Sequence, residues 1–165
     1  MRAAMVLVAL CVLMVLTAVP AAADADRFSW PLRPRPPVVR AFDAPSPNWQ
    51  RGHRGVDLAG FEGQPVYSAA AGTVVFAGPL AGRPVVSIAH PGGLRSSYEP
   101  VRPSVRPGQT VQSGSAIGTL VAGHAGCTAV ACLHWGAMWG PARRADYVDP
   151  LGLLAETRIR LKPVR

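Results

Sequence analysis

Apolar and polar positions along the chain fall into two regimes. Residues 3–19 form an almost unbroken apolar run. From Gly52 onward, short apolar stretches alternate with Gly and Pro, the pattern of short strands joined by turns. Strands are expected at residues 66–70, 72–77, 85–90, 95–101, 116–121 and 133–138. Pro91-Gly92 and Pro107-Gly108 read as turns between them. No segment sustains a helical period over three turns, and one short helix is expected near residues 147–154. The stretch 157–162 alternates as an edge strand would.

The first regime has the form of a secretory leader. Arg2 supplies a positive end, Pro20 breaks the apolar run, and Ala21-Ala22-Ala23 offers a small-x-small cleavage site. The expectation is a signal peptide over residues 1–23, with cleavage after Ala25 as a second register. Retention of the run as a membrane anchor is the alternative, although its length is at the lower limit for a span. The Val-Ala-Leu before Cys11 argues against a lipoprotein. Residues 24–47, rich in Pro and Arg, read as an extension on the domain surface or leading into it. The domain itself is expected over 48–155, with a tail or edge strand over 156–165.

Leader cleavage changes the cysteine count. Of three cysteines, Cys11 leaves, and Cys127 and Cys132 remain. An even pair in an exported chain reads as a disulfide.

Composition narrows the class further. The 165 residues include 17 Gly and 17 Pro, too many breakers for a helical bundle, so an all-β, turn-rich fold is expected. The formal net charge is +8, carried almost wholly by Arg. In an exported protein such a charge suits anionic cell-envelope polymers better than nucleic acid, for which no basic-aromatic stripe or known motif is present.

An internal echo supports a duplicated architecture. Gly63-Gln64-Pro65-Val66-Tyr67-Ser68 leads to Gly72-Thr73, and Gly108-Gln109-Thr110-Val111-Gln112-Ser113 leads to Gly118-Thr119. This predicts a sandwich or barrel built from two similar hairpin units. Biotinyl and lipoyl carriers share the pattern but need a lysine at a hairpin tip, and the single lysine, Lys162, lies in the tail.

The candidate chemistry lies in the histidines. His53 and Asp57 are four residues apart, and His134 follows in Cys132-Leu133-His134-Trp135-Gly136. Two imidazoles and a carboxylate with an open fourth position make a catalytic zinc set. The spacing alone is more often that of a surface His with a capping Asp. His90, before Pro91-Gly92-Gly93, reads as a strand-end residue, and His124 as a solvated residue of a small-residue loop, with a swing into the site from that loop as the lesser alternative. Trp135 and Trp139 read as core or cleft lining.

These residues resemble the lysostaphin-type (LytM-like) zinc metalloendopeptidases. The resemblance runs through Gly52-His53-Arg54-Gly55-Val56-Asp57, the Gly63–Val74 segment, Ile88-Ala89-His90-Pro91-Gly92-Gly93, and the spaced Val105, Gly108, Val111, Gly114 and Ile117-Gly118. It closes with Leu133-His134-Trp135-Gly136 and Asp149-Pro150-Leu151. It implies the duplicated hybrid motif, an all-β fold. It also implies zinc on His53, Asp57 and His134, and peptidoglycan peptide as substrate in a secreted or cell-envelope location, with no membrane span after cleavage.

The family's two non-ligand histidines are absent. Pro100 stands where a Tyr-x-His segment carries one, and Cys132 where a His-x-His motif carries the other. If position 100 faces the metal, Tyr98 shares its face and is a possible substitute, with Glu99 pointing away. Cys132 either pairs with Cys127 or closes the zinc site as a thiolate. Three functions follow. The chain is a zinc endopeptidase, a catalytically impaired module that binds peptidoglycan or regulates another cell-wall hydrolase, or a protein whose zinc is purely structural.

Overall fold

The computed structural model describes residues 27–47, 49–141 and 144–154. The expected leader and the tail at 156–165 lie outside the described residues. Eleven strands follow in chain order: β1 Val38–Arg40, β2 Val56–Gly60, β3 Pro65–Tyr67, β4 Gly72–Leu80, β5 Arg83–Ala89, β6 Leu94–Glu99, β7 Val101–Pro103, β8 Thr110–Val111, β9 Ala116–Leu120, β10 Ala131–Trp139 and β11 Asp146–Val148. The fold is all-β, and no α-helix occurs among the described residues. The large sheet runs β1-β2-β10-β6-β5-β4-β8, with β11 on β10, and a smaller sheet runs β3-β9-β7.

The echo is a crosswise pairing. The first strand of each copy pairs with the second strand of the other, β3 with β9 and β4 with β8. Pro65 lies opposite Thr119 and Val66 opposite Gly118. Thr110 lies opposite Thr73 and Val111 opposite Gly72, the same two pairs under the repeat. The two glutamines repeat one turn. Gln64 Oε1 accepts from Phe61 N at 3.1 Å, and Gln109 Oε1 from Arg106 N at 3.3 Å. Gly63 and Gly108 sit in those turns at φ 82° and 86°, which glycine adopts without strain.

Alternation along the central strands sorts side chains to two faces. On β10, Ala131, Leu133, Trp135 and Ala137 are buried in the core cluster, together with Val56 and Leu58 of β2 and Leu94 and Tyr98 of β6. The intervening positions face a cleft.

Several boundaries differ from the pattern-based expectation. The strand expected at 95–101 is two strands in different sheets, because Pro100 has no N–H for the ladder. The strand at 66–70 is shortened to β3, since Ser68 Oγ donates to Ala70 O and turns the chain. No helix forms at 147–154. β11 occupies its start, and Pro150–Leu153 is a 3₁₀ turn capped by Asp149, whose Oδ1 accepts from Leu151 N at 2.9 Å. The segment before β1 does more than lie on the surface, because Phe28 and Leu32 belong to the core.

Candidate metal centre

Three strands lay the site out in a row. Asp57 of β2 is the register partner of His134 of β10, and His134 is the partner of Glu99 of β6. Residues directly opposite in an antiparallel ladder share a face, so all three face the cleft. His53 precedes β2 and is held by a two-way backbone bridge to Asp43. Its imidazole is buried, and its Nδ1 lies 2.6 Å from Ala41 O. A carbonyl only accepts, so Nδ1 carries the proton and Nε2 presents a lone pair to the site.

Three ligand-type atoms converge there. His53 Nε2 is 3.0 Å from Asp57 Oδ1 and 3.0 Å from His134 Nδ1, and His134 Nδ1 is 2.9 Å from Asp57 Oδ1. Such atoms repel unless protons or a cation lie among them. Asp57 Oδ2 is buried with no hydrogen-bond partner among the described residues. Burial by itself raises the Asp57 carboxyl. Hydrogen bonds and electrostatic attraction from the His124 and His134 side chains outweigh burial and hold the group well below the usual carboxylate range. An ionised carboxylate, two imidazoles and an outward-fixed histidine tautomer suit a divalent zinc-type cation.

Gly55 keeps this packing possible. A Cβ there would lie 2.5 Å from Trp135 O and 2.7 Å from His134 Nε2. The cleft above the row holds about 550 Å³ and is lined by His53, His134, His124 and Glu99, with Arg40, Arg54 and Arg83 around them.

The remaining expected residues fall into place differently. Cys127 and Cys132 form a disulfide with Cα atoms 5.6 Å apart, so Cys132 is not a thiolate available to a metal. Tyr98 does not share the site's face. It is register partner to Trp135, wholly buried, and its hydroxyl takes the Ala69 N–H at 3.0 Å and contacts Ser96 Oγ at 3.0 Å. Glu99, expected to point away, lines the cleft and pairs with Arg83 Nε at 3.3 Å. The parity drawn from position 100 fails because β6 ends at Glu99. His90 is buried at the end of β5, with Nδ1 donating to Ala71 O at 2.8 Å and Nε2 2.7 Å from Ser96 Oγ. Burial pushes its pKa down, against a smaller upward effect of the Ala71 bond. Trp135 is core, and Trp139 is partly exposed at the strand end.

His124 departs from the expectation of a solvated loop residue and takes the lesser alternative, a place at the site. It is not solvated. Its Nε2 lies 3.2 Å from Asp57 Oδ1, and its ring stacks on His134 with centroids 5.6 Å apart. The signal for it was the cysteine pair beside it, which ties its loop to β10 two residues before His134.

Comparison with known proteins places the chain in a family. An uncharacterized protein of Mycobacterium tuberculosis (strain H37Rv) is 70% identical over 149 residues, 90% of this chain and 60% of its own length. An uncharacterized protein of Mycobacterium bovis matches equally. The chain thus spans 60% of the length of these curated relatives. Among solved structures, lysostaphin superposes with a TM-score of 0.63 at 22% identity, over 85% of this chain and 61% of that one, a likeness of fold. A zinc-containing peptidase from Vibrio cholerae superposes with a TM-score of 0.58 at 25% identity, over 73% of this chain and 39% of that one. Residues 51–150, the span that contains the whole convergent site, match peptidase family M23, and the chain belongs to that family.

Proposed function

We propose that the protein is an exported zinc metalloendopeptidase that hydrolyses peptide bonds of bacterial cell-wall peptidoglycan. The convergence of His53 Nε2, Asp57 Oδ1 and His134 Nδ1 on the floor of an open cleft carries this reading. Those three atoms would hold the zinc. When bound, zinc lowers the pKa of a water and polarises a carbonyl.

The chain's own residues do the rest. The Ala41 carbonyl fixes the His53 tautomer, and the β2–β10 register fixes Asp57 against His134. Glu99, which lines the cleft and pairs through Oε2 with Arg83, takes the place of Tyr98 as the candidate group to accept a proton. The arginine rim favours a peptide that carries carboxylates.

A second reading rests on a separate observation. Pro100 is a buried strand break and Cys132 is committed to a disulfide, so neither position supplies a proton-transfer group. On that reading the chain binds peptidoglycan or regulates another cell-wall hydrolase without cutting. Release of soluble dye from dye-labelled sacculi separates the two. Zinc-reconstituted protein releases it and chelated protein does not if the first holds, and binding without release in both supports the second.

A further inference from the structure

We propose that His124 is a positioning residue of the metal centre, and that the Cys127–Cys132 disulfide holds it in place. The inference rests on the metal-binding reading above, though not on catalysis. His124 Nε2 is 3.2 Å from Asp57 Oδ1, and a carboxylate oxygen only accepts, so Nε2–H donates. The imidazole stands outside the ligand cluster. His53, Asp57 and His134 alone form the set of atoms lying within 4.8 Å of one another among the described residues. His124 therefore acts on the ligand Asp57, and its Nδ1 is buried with no hydrogen-bond partner among the described residues.

The loop that carries His124 has little else to hold it. It links β9, which ends at Leu120, to β10, which begins at Ala131. Gly123 and Gly126 lie in it at φ 97° and 81°. Ala122, Gly123, Ala125, Gly126, Thr128 and Val130 are exposed, so the loop has few apolar anchors. Order comes from two links in series. Cys127 N donates to His124 O at 3.2 Å, closing a turn, and Cys127 is bonded to Cys132. Cys132 lies on β10 at the same parity as His134. The cross-link thus ties the His124 turn to the strand that presents a ligand, and it removes conformations in which the loop swings away. Partners of metal-ligating groups are worth about 10–100-fold in metal affinity or activity.

The test is zinc affinity of the full oxidised chain, read by competition with a chromophoric chelator. His124→Ala weakens binding about 10–100-fold, and His124→Gln, which keeps an N–H donor, recovers part of the loss. The Cys127→Ala/Cys132→Ala pair weakens binding similarly. Adding His124→Ala to that pair causes no further loss, because both changes remove the same contact. The cobalt-substituted His124→Ala protein keeps the wild-type absorption bands, since no ligand has changed. Unchanged affinity in His124→Ala overturns the proposal, as do additive losses in the triple variant or a shifted cobalt spectrum, which would make His124 a ligand. Wild-type protein that binds no zinc overturns the metal reading as well. Far-UV circular dichroism and thermal melts confirm folding, and the His124 variants alone decide the question if the cysteine variants do not fold.

Discussion

Asp57 and His134 are paired across the β2–β10 ladder, and their side chains meet with Oδ1 2.9 Å from Nδ1. The residues are 77 positions apart, yet a single strand register sets their separation. The centre therefore depends on the sheet, and only His53 is supplied by a loop segment, one pinned by Asp43 and Ala41. A site built on strands holds its geometry better than one built on loops.

Glycine 55 tests how tightly this register is packed. A methyl group at Gly55 meets the Trp135 carbonyl and the His134 ring. Gly55→Ala is expected to cost about 1–3 kcal/mol of stability by overpacking and to weaken zinc binding by displacing His134. A thermal melt and a chelator competition check the two effects. Wild-type values in both would mean that His134 has room to move.

Metal should be linked to stability. A ligand that binds only the folded state stabilises by about 2.7 kcal/mol at a free concentration 100 times its Kd. Zinc is expected to raise the thermal midpoint of the wild-type chain, and a chelator to reverse it. His134→Ala should show neither response in the same calorimetric scan.

Tyr98 and Glu99 are neighbours on β6 with opposite roles. Tyr98→Phe strands the buried Ala69 N–H that its hydroxyl accepts, at a cost of about 1–3 kcal/mol in stability, and should leave turnover near wild type. Glu99→Gln should cost at most about 1 kcal/mol of stability, the worth of its partly exposed pair with Arg83, and lower turnover by about 10²–10⁴. Denaturant melts and cleavage rates on the two variants read the pattern, and the reverse assignment would restore Tyr98 as the proton-transfer group.

His90 gives the fold a pH dependence away from the metal. Its folded pKa is lowered from 6.5, with burial as the main cause. The folded state therefore binds fewer protons than the unfolded state just below that value. Stability is therefore full above about pH 6.5 and declines as pH falls from there toward the lower folded value. Chemical melts of the zinc-free chain between pH 7.5 and 5 should show the decline, and His90→Gln should flatten it.

Much of this was legible in the residues. The Gly-Gln-x-Val echo was readable because the two copies pair crosswise, so each must supply the same turn and the same strand partners. Residue type makes His53, Asp57 and His134 candidates, but it is the resemblance to the lysostaphin-type peptidases, not the spacing, that singles them out as a ligand set, while the cysteine pair follows from its even count. Three features were not legible. The face of Tyr98 does not follow from parity with Pro100, because Pro100 lies beyond the end of β6. Strands β1, β2, β8 and β11 are two to five residues long, too short for alternation to mark them. His124 lies in a loop without periodicity, and although the Cys127–Cys132 pairing is legible, the direction in which it turns the loop toward Asp57 is not.

The central claim is that the His53–Asp57–His134 centre cuts peptide bonds. Mass spectrometry of purified peptidoglycan digested with the oxidised, zinc-loaded chain tests it most directly, with His134→Ala in parallel. Fragments with new amino and carboxyl ends at a peptide bond, absent with His134→Ala, are the predicted result. Intact peptidoglycan across several cross-link chemistries, or the same fragments with His134→Ala, would contradict it.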